Sequence, residues 1–144
     1  MAAANFFAVI DGVLVTPKLG TILPGITRDS IIQVAHDSGL QVTDIPSFPA
    51  RPTNGSFCSA SPIALLLQVE EADITLEDVQ NASEAFCAGT AAVVTPISSI
   101  AQVNGDEIVF PEGNTVCNKM RQTITDIQYG RIPDPFGWVR EIEF

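Results

Sequence analysis

The dipeptide Asp11-Gly12 constrains the fold of this chain more than any other short segment. It separates two β-prone runs, residues 5–10 and 13–16. Asp-Gly between two such runs is a strong signal for a tight hairpin turn. Pro17 then closes the second run. The sequence therefore predicts an antiparallel strand pair at its start.

A helix is predicted over residues 28–38, directly after a Pro-Gly break. Its apolar positions recur at helical spacing, and Gly39 is placed to cap its C-terminus. His36 lies in the last turn, where we expect an exposed side chain. The residues expected on its buried side are Ile31, Ile32, Val34 and Ala35.

The second half of the chain mixes helices with further extended segments. Thr75 and Asp78 have the spacing of a capping box, ahead of a short helix whose apolar side is formed by Leu76, Val79 and Ala82. Residues 84–88 and 93–103 are predicted to be extended, and Asn104-Gly105 predicts a second hairpin. Together with the first hairpin and helix, these elements indicate an α/β or α+β fold.

A final helix is predicted over residues 115–129. Asn114 is expected to cap its start, and Gly130 occupies the position after its end. Four apolar residues recur at helical spacing within it: Val116, Met120, Ile124 and Ile127.

Composition excludes several classes of protein. The net charge is −10, which argues against nucleic acid or an anionic membrane as a partner. No apolar run approaches the roughly 20 residues of a membrane span. The three cysteines lack the spacing of a zinc site or disulfide frame, and His36 is the single histidine. We expect an intracellular protein without a signal peptide, in the cytoplasm or an organelle.

Residues 20–29 offer a candidate anion site. The first turn of a helix has unpaired backbone N–H groups and the positive end of the helix dipole. Gly25 lets a ligand approach the backbone, Thr27 can offer a hydroxyl, and Arg28 adds positive charge. An ordinary loop-to-helix junction remains the alternative interpretation.

A second candidate follows the strand at residues 84–88. Gly89 frees the backbone, and Thr90 with the next two amides could form an anion-binding nest. The alternative is a tight connection between two strands of a packed core. Cys87 beside it is interpreted as a core residue, since no base accompanies it.

A family resemblance joins these motifs. The ordered series NFF (residues 5–7), DGVLVTP (11–17), LPGITR (23–28), FCAGTAA (86–92), VTPI (94–97) and FGW (136–138) resembles the C-terminal half of the branched-chain aminotransferases. These are fold-type IV enzymes that depend on pyridoxal phosphate. The resemblance covers nearly the whole chain except residues 42–68. It implies a large C-terminal domain with a mixed sheet or pseudo-barrel and flanking helices.

The resemblance also implies roles for particular residues. Leu23 would pack against the cofactor ring, while the amides of Ile26 and Thr27, after Gly25, would hold the phosphate. In the second motif, which begins at Gly89, the Thr90 hydroxyl would also bind the phosphate. The amides of Thr90 and Ala91 would receive the α-carboxylate of the amino acid. The implied reaction is amino transfer between Leu, Ile or Val and 2-oxoglutarate.

In this family the Schiff-base lysine and the glutamate that pairs with the pyridine nitrogen lie upstream of the matching segment. Neither Lys18 nor Lys119 aligns with that lysine, so no catalytic residue is assigned within this chain. Two interpretations follow: an incomplete transaminase, or a catalytically inactive fragment that binds a full-length subunit. Both predict association, as a homo-oligomer or with such a subunit.

Residues 42–68 interrupt the family pattern. The stretch is rich in Pro, Ser, Thr and Gly, and the triplet Leu-Gln-Val occurs at both of its edges. Its removal restores the short connection that family members have there. We expect an unstructured insert, specifically a translated retained intron, which sequencing of the transcript would test.

Overall fold

A computed structural model describes residues 4–20, 22–38 and 68–142 of the chain. Seven strands and three helices lie within these residues. In chain order they are β1 (Asn5–Ile10), β2 (Val13–Pro17), α1 (Ile26–Asp37), β3 (Gln68–Ala72), α2 (Leu76–Gln80), β4 (Glu84–Gly89), β5 (Val93–Pro96), β6 (Ser99–Ala101), β7 (Glu107–Val109) and α3 (Thr115–Gln128).

Five of the strands form one mixed sheet in the order β3-β2-β1-β4-β5. Neighbouring strands are antiparallel except β2 and β3, which run parallel. Asp11 and Gly12 both have positive φ, at 50° and 80°, as a two-residue type I′ hairpin requires. The sheet ends at β3 and β5, so the described residues form no closed barrel.

Helices α1 and α3 cover one face of the sheet. Phe7 of β1 and Phe86 of β4 stack at the centre of this face, with ring centroids 5.2 Å apart. Both rings are fully buried, and the core cluster around them includes Ile31 of α1 and Met120 of α3. Alternation along the strands sends these residues to one face, and helical spacing supplies the apolar sides that meet them.

The opposite face carries a smaller core. Ala8 and Ala85 of the sheet pack there with Val79 of α2 and with Ile108 and Phe110, which belong to β7 and the residue just after it. Strands β6 and β7 form a separate two-stranded sheet. The layers thus give an α+β arrangement, which confirms the predicted fold class apart from barrel closure.

Most local predictions are confirmed. The capping box of Thr75 and Asp78 forms at the start of α2, and Gly130 follows α3 with a φ of 64°. Helix α1 begins at Ile26, slightly earlier than the sequence indicates. The second hairpin also forms, although a five-residue loop, 102–106, joins its strands.

Two side-chain predictions are wrong. Leu76 does not join the apolar side of α2, since 52% of its surface is exposed. Asn114 makes no side-chain bond to the first turn of α3. Glu84 caps this helix instead, because its carboxylate accepts hydrogen bonds from the amide N–H groups of Val116 and Cys117 at 3.0–3.1 Å.

Several predictions fall on residues that the structure does not describe. Residues 42–67 of the expected insert, the capping position Gly39 and Cys58 lie outside the described ranges. The one described residue of the insert is Gln68, where the backbone of β3 begins.

Candidate functional site

The two candidate anion-binding segments lie at the same edge of the sheet. Strand β1 begins there at Asn5, and the antiparallel strand β4 ends there at Gly89. Asn5 pairs directly with Ala88, the residue before Gly89. The side chain of Asn5 also reaches the first segment, where its Nδ2 donates to the carbonyl of Leu23 over 2.8 Å.

The first segment is a short turn that leads into α1. The amide of Gly25 donates to the carbonyl of Leu23 at 2.9 Å, and the amide of Asp29 is bonded to the Gly25 carbonyl at 3.0 Å. Gly25 is thus the cap position of α1. The amides of Ile26 and Thr27 come before the first intrahelical donor, so they have no partner within the helix.

The start of α1 differs from the starts of the other two described helices. At α2 a capping box occupies the first turn, and at α3 the carboxylate of Glu84 does so. At α1, among the described residues, no side chain accepts a hydrogen bond from the first turn. A helix of 12 residues with an uncapped first turn presents aligned N–H donors and the positive end of its dipole, which favours a bound anion.

Arg28 does not belong to this anion site, contrary to the sequence prediction. Its guanidinium is buried on the inner side of α1, with a side-chain exposure of 4%. One of its nitrogens donates to the carbonyl of Pro17 at 3.0 Å and to the carboxylate of Glu71 at 2.8 Å. The positive charge is therefore neutralised inside the fold, and backbone amides remain as the donors of the first segment.

The second segment connects β4 to β5 through a three-residue loop, Thr90, Ala91 and Ala92. All three loop residues are exposed. Val93 closes the loop with a φ of +55°. That left-handed conformation costs an ordinary L-residue about 1–2 kcal/mol, and more strain is expected for a β-branched side chain. Such strain is found most often at ligand-binding turns, which makes this loop a notable feature of the sheet edge.

The predicted contact residues are exposed at this edge. Leu23 and Ile26 are 68% and 86% exposed, and Thr90 is exposed as well. Large apolar side chains at such exposure leave a surface that a ring or a further protein surface could cover. The structure therefore brings both predicted motifs to one edge of the sheet, through the single strand β1.

Both lysines lie outside the two candidate anion-binding segments. Lys18 forms an ion pair with Asp73 at 3.0 Å, next to the end of β3. Lys119 lies on the exposed side of α3. Among the residues that the structure describes, no three His, Cys, Asp or Glu side chains are grouped to hold a metal ion.

Cys87 of β4 has the character of a structural thiol. Burial raises the pKa of the Cys87 thiol above its ordinary value of 9.0, so the reactive thiolate is disfavoured. Cys87 is only half-buried, however, and it belongs to neither core cluster, so its interpretation as a core residue is wrong. Its thiol is free, as is that of Cys117.

Comparison with known proteins shows which proteins this chain is similar to. The family model for class IV amino-transferases matches residues 1–49, which include β1, β2 and α1. The chain is 36% identical to the methionine aminotransferase BCAT4 of Arabidopsis thaliana, over 98% of this chain and 32% of that protein. By sequence and by fold, the chain is thus similar to part of a class IV amino-transferase.

Solved structures narrow the relationship. The branched-chain amino acid aminotransferase of Escherichia coli superposes with a TM-score of 0.67 at 31% identity, covering 94% of this chain and 35% of that chain. That of the archaeon Thermoproteus uzoniensis, solved with norvaline, gives 0.60 at 32% identity, with 90% and 33% coverage. Another branched-chain enzyme, solved with pyridoxamine 5′-phosphate, gives 0.65 at 28% identity. The chain is therefore a homologue of the branched-chain aminotransferases. It spans about a third of the length of the relatives that it matches.

Three structurally important side chains escape prediction from the sequence: Asn5, Glu71 and Glu84. Each binds a partner that is distant in sequence, at separations of 18, 43 and 32 residues. No local motif marks such contacts. The two acids are ordinary strand residues in the sequence, and Asn5 is distinguished only as a polar residue at the start of an apolar strand.

No described helix is long and apolar enough to cross a membrane.

Proposed function

We propose that this chain supplies the phosphate-binding edge of a pyridoxal phosphate site in a branched-chain aminotransferase. The reaction would be amino transfer between Leu, Ile or Val and 2-oxoglutarate. One observation carries the proposal: within the described part of the chain, the first turn of α1 has no capping side chain, whereas α2 and α3 are both capped. In the sequence this turn is LPGITR, which together with Gly89-Thr90-Ala91 forms the most specific part of the family resemblance.

The donors present fit a phosphate. The amides of Ile26 and Thr27 would bind it at the positive end of α1, and the hydroxyl of Thr90 would add a bond from the neighbouring loop. Because Arg28 is neutralised by Glu71, this binding uses dipoles instead of a cation. Charge-assisted hydrogen bonds to backbone N–H groups are strong enough for that role.

The remaining roles follow from position at the same edge. Leu23 would cover one face of the cofactor ring with its exposed side chain, and the amides of Thr90 and Ala91 would hold the substrate α-carboxylate. Pyridoxal phosphate, when bound, supplies an electron sink for the amino-transfer chemistry. The residues of this chain bind and orient the cofactor and the substrate carboxylate.

A second candidate function is that of a binding partner without turnover. It is favoured by the surroundings of the two lysines, since Lys18 pairs with Asp73 and Lys119 lies on α3. The exposed side chains of Leu23 and Ile26 would then contact a full-length subunit. This alternative retains the cofactor-binding edge but assigns no Schiff-base lysine to this chain.

Equilibrium binding of pyridoxal phosphate and of unphosphorylated pyridoxal tests the proposed site. We expect the phosphorylated compound to bind at least tenfold more tightly, and Thr90→Ala to weaken it by about tenfold, the value of one charge-assisted hydrogen bond. Thr115→Ala, an exposed threonine at the start of α3, is the matched control. Equal affinity for the two compounds would contradict the proposal.

Borohydride reduction and a transaminase assay separate the two candidates. A labelled lysine together with turnover supports the enzyme. Phosphate-selective binding without label or turnover supports the non-catalytic partner.

A further inference from the structure

We propose that Asn5 is the positioning residue that holds the phosphate-binding amides of α1 in place. This inference rests on the proposed function and deepens it. Asn5 would not touch the cofactor. It would act through the turn of Leu23 and Gly25, which places the amides of Ile26 and Thr27.

The first argument is the hydrogen bond that Asn5 makes. Its Nδ2 donates to the carbonyl of Leu23 over 2.8 Å, and only 6% of the residue is exposed. The following residues of β1 are apolar, so a polar side chain at this buried place requires a reason. The bond connects the start of the central strand to the chain just before α1.

The second argument is the close approach of Asn5 to Gly25. A Cβ at position 25 would overlap Oδ1 of Asn5, the nearest atom to it. The backbone of Gly25 has φ −74° and ψ 136°, which any residue can adopt. A larger residue at position 25 would therefore displace the Asn5 side chain, although the backbone conformation itself suits any residue.

The third argument is the position of Asn5 between both walls of the site. Its backbone pairs with Ala88, one residue before Gly89 and the loop that holds Thr90. Its side chain fixes the turn before α1. One residue therefore sets the spacing between the two groups of donors that the phosphate would need at once, and small displacements of such donors are costly.

Three variants test this role: Asn5→Ala and Gly25→Ala, which add no charge, and Asn5→Asp, which keeps the size, removes the donor and adds a negative charge. We expect each to weaken pyridoxal phosphate binding by about tenfold or more, with pyridoxal affinity changed less than twofold. Asn118→Ala, an exposed asparagine of α3, is the control and should match the wild type. A residue with only a general structural role would lower both affinities in parallel with the melting temperature.

The double variant Asn5→Ala/Gly25→Ala gives a sharper readout. With the amide side chain gone, a methyl group at position 25 has room, so the second substitution should cause no further loss. If the two substitutions weaken pyridoxal phosphate binding independently, so that their fold-changes multiply in the double variant, the proposed coupling between the two residues is overturned. If Asn5→Ala does not fold, Asn5→Asp and Gly25→Ala still report on phosphate selectivity.

The outcomes separate this inference from the proposed function. A wild-type chain without preference for the phosphorylated compound overturns both. A phosphate-selective wild type whose selectivity survives Asn5→Asp and Gly25→Ala overturns the role of Asn5 alone.

Discussion

Arg28 of α1 donates to the carboxylate of Glu71 in β3 over 2.8 Å, although 43 positions separate the two residues in the sequence. The guanidinium is almost completely buried, whereas 44% of the Glu71 side chain is exposed. The pair joins α1, which begins at the proposed phosphate site, to β3, the outermost strand of the sheet, which runs parallel to β2. Its burial explains why Arg28 is absent from the site that its sequence position indicates.

Glu71→Ala is predicted to destabilise the protein by about 1–3 kcal/mol. Loss of a partner leaves a buried positive charge whose remaining bond is to the Pro17 carbonyl. This loss of unfolding free energy is smaller than the roughly 3–5 kcal/mol for breaking a fully buried ion pair, because Glu71 is partly solvated. Urea unfolding measures it against Glu112→Ala, an exposed loop carboxylate. Equal midpoints for the two variants would show that the pair contributes nothing.

Glu84→Ala is predicted to cost about 1–2 kcal/mol, the usual value of a lost helix cap. The carboxylate accepts hydrogen bonds from the amides of Val116 and Cys117, and no other side chain that the structure describes caps α3. Chemical unfolding checks the free energy of unfolding, with Glu107→Ala, a change at an exposed residue of β7, as the control. Hydrogen exchange should quicken first in the initial turn of α3. Unchanged exchange there would refute this role for Glu84.

Alkaline pH is predicted to destabilise the fold through Cys117. Burial, with a further contribution from Glu84, raises the pKa of the Cys117 thiol from 9.0 to about 11. The folded state therefore prefers the neutral thiol, so its stabilising contribution is complete below pH 9 and is lost as the pH rises from about 9 to about 11. Urea midpoints between pH 8 and 11 should fall less steeply in Cys117→Ala. Urea midpoints that fall equally steeply in the wild type and in Cys117→Ala would show that Cys117 is not the cause of this pH dependence.

Acidic pH is predicted to release the segment after α3. The pKa of Asp134 is lowered from 3.8, chiefly by the amide of Val139, with further bonds from Phe136 and Gly137. Its stabilising contribution is present above pH 3.8 and is lost as the pH falls through the lower folded-state pKa.

The fluorescence of Trp138, the single tryptophan, reports this release because its ring stacks on that of Phe136, with the ring centroids 4.4 Å apart. Asp134→Ala should already show the released signal at neutral pH. Glu141→Ala is the control and should retain the acid transition. A wild-type signal from Asp134→Ala at pH 7 would rule out the carboxylate as the anchor.

Local rules predict much of this fold from sequence. The Asp11-Gly12 turn and the capping box of Thr75 depend on residues a few positions apart, and both form. The apolar spacing of α3 likewise identifies the residues that are buried. These signals are local in sequence, so the sequence pattern alone reveals them.

Contacts between distant residues set the rest of the structure. The partners of Arg28, Glu84 and Asn5 become neighbours only after the strands have taken their order. For the same reason, the residue pattern identifies the two candidate anion-binding turns separately, and only the family resemblance joins them in advance. In the fold, the pairing of Asn5 with Ala88 brings them together.

We propose that the uncapped first turn of α1 and the loop after β4 bind one phosphate. Amide chemical shifts, followed by NMR during titration with pyridoxal phosphate and separately with pyridoxal, test this binding at single residues. We expect the amide signals of Ile26, Thr27 and Thr90 to move together with the phosphorylated compound and to stay in place with pyridoxal. Shifts confined to other residues, or identical shifts with both compounds, would contradict it.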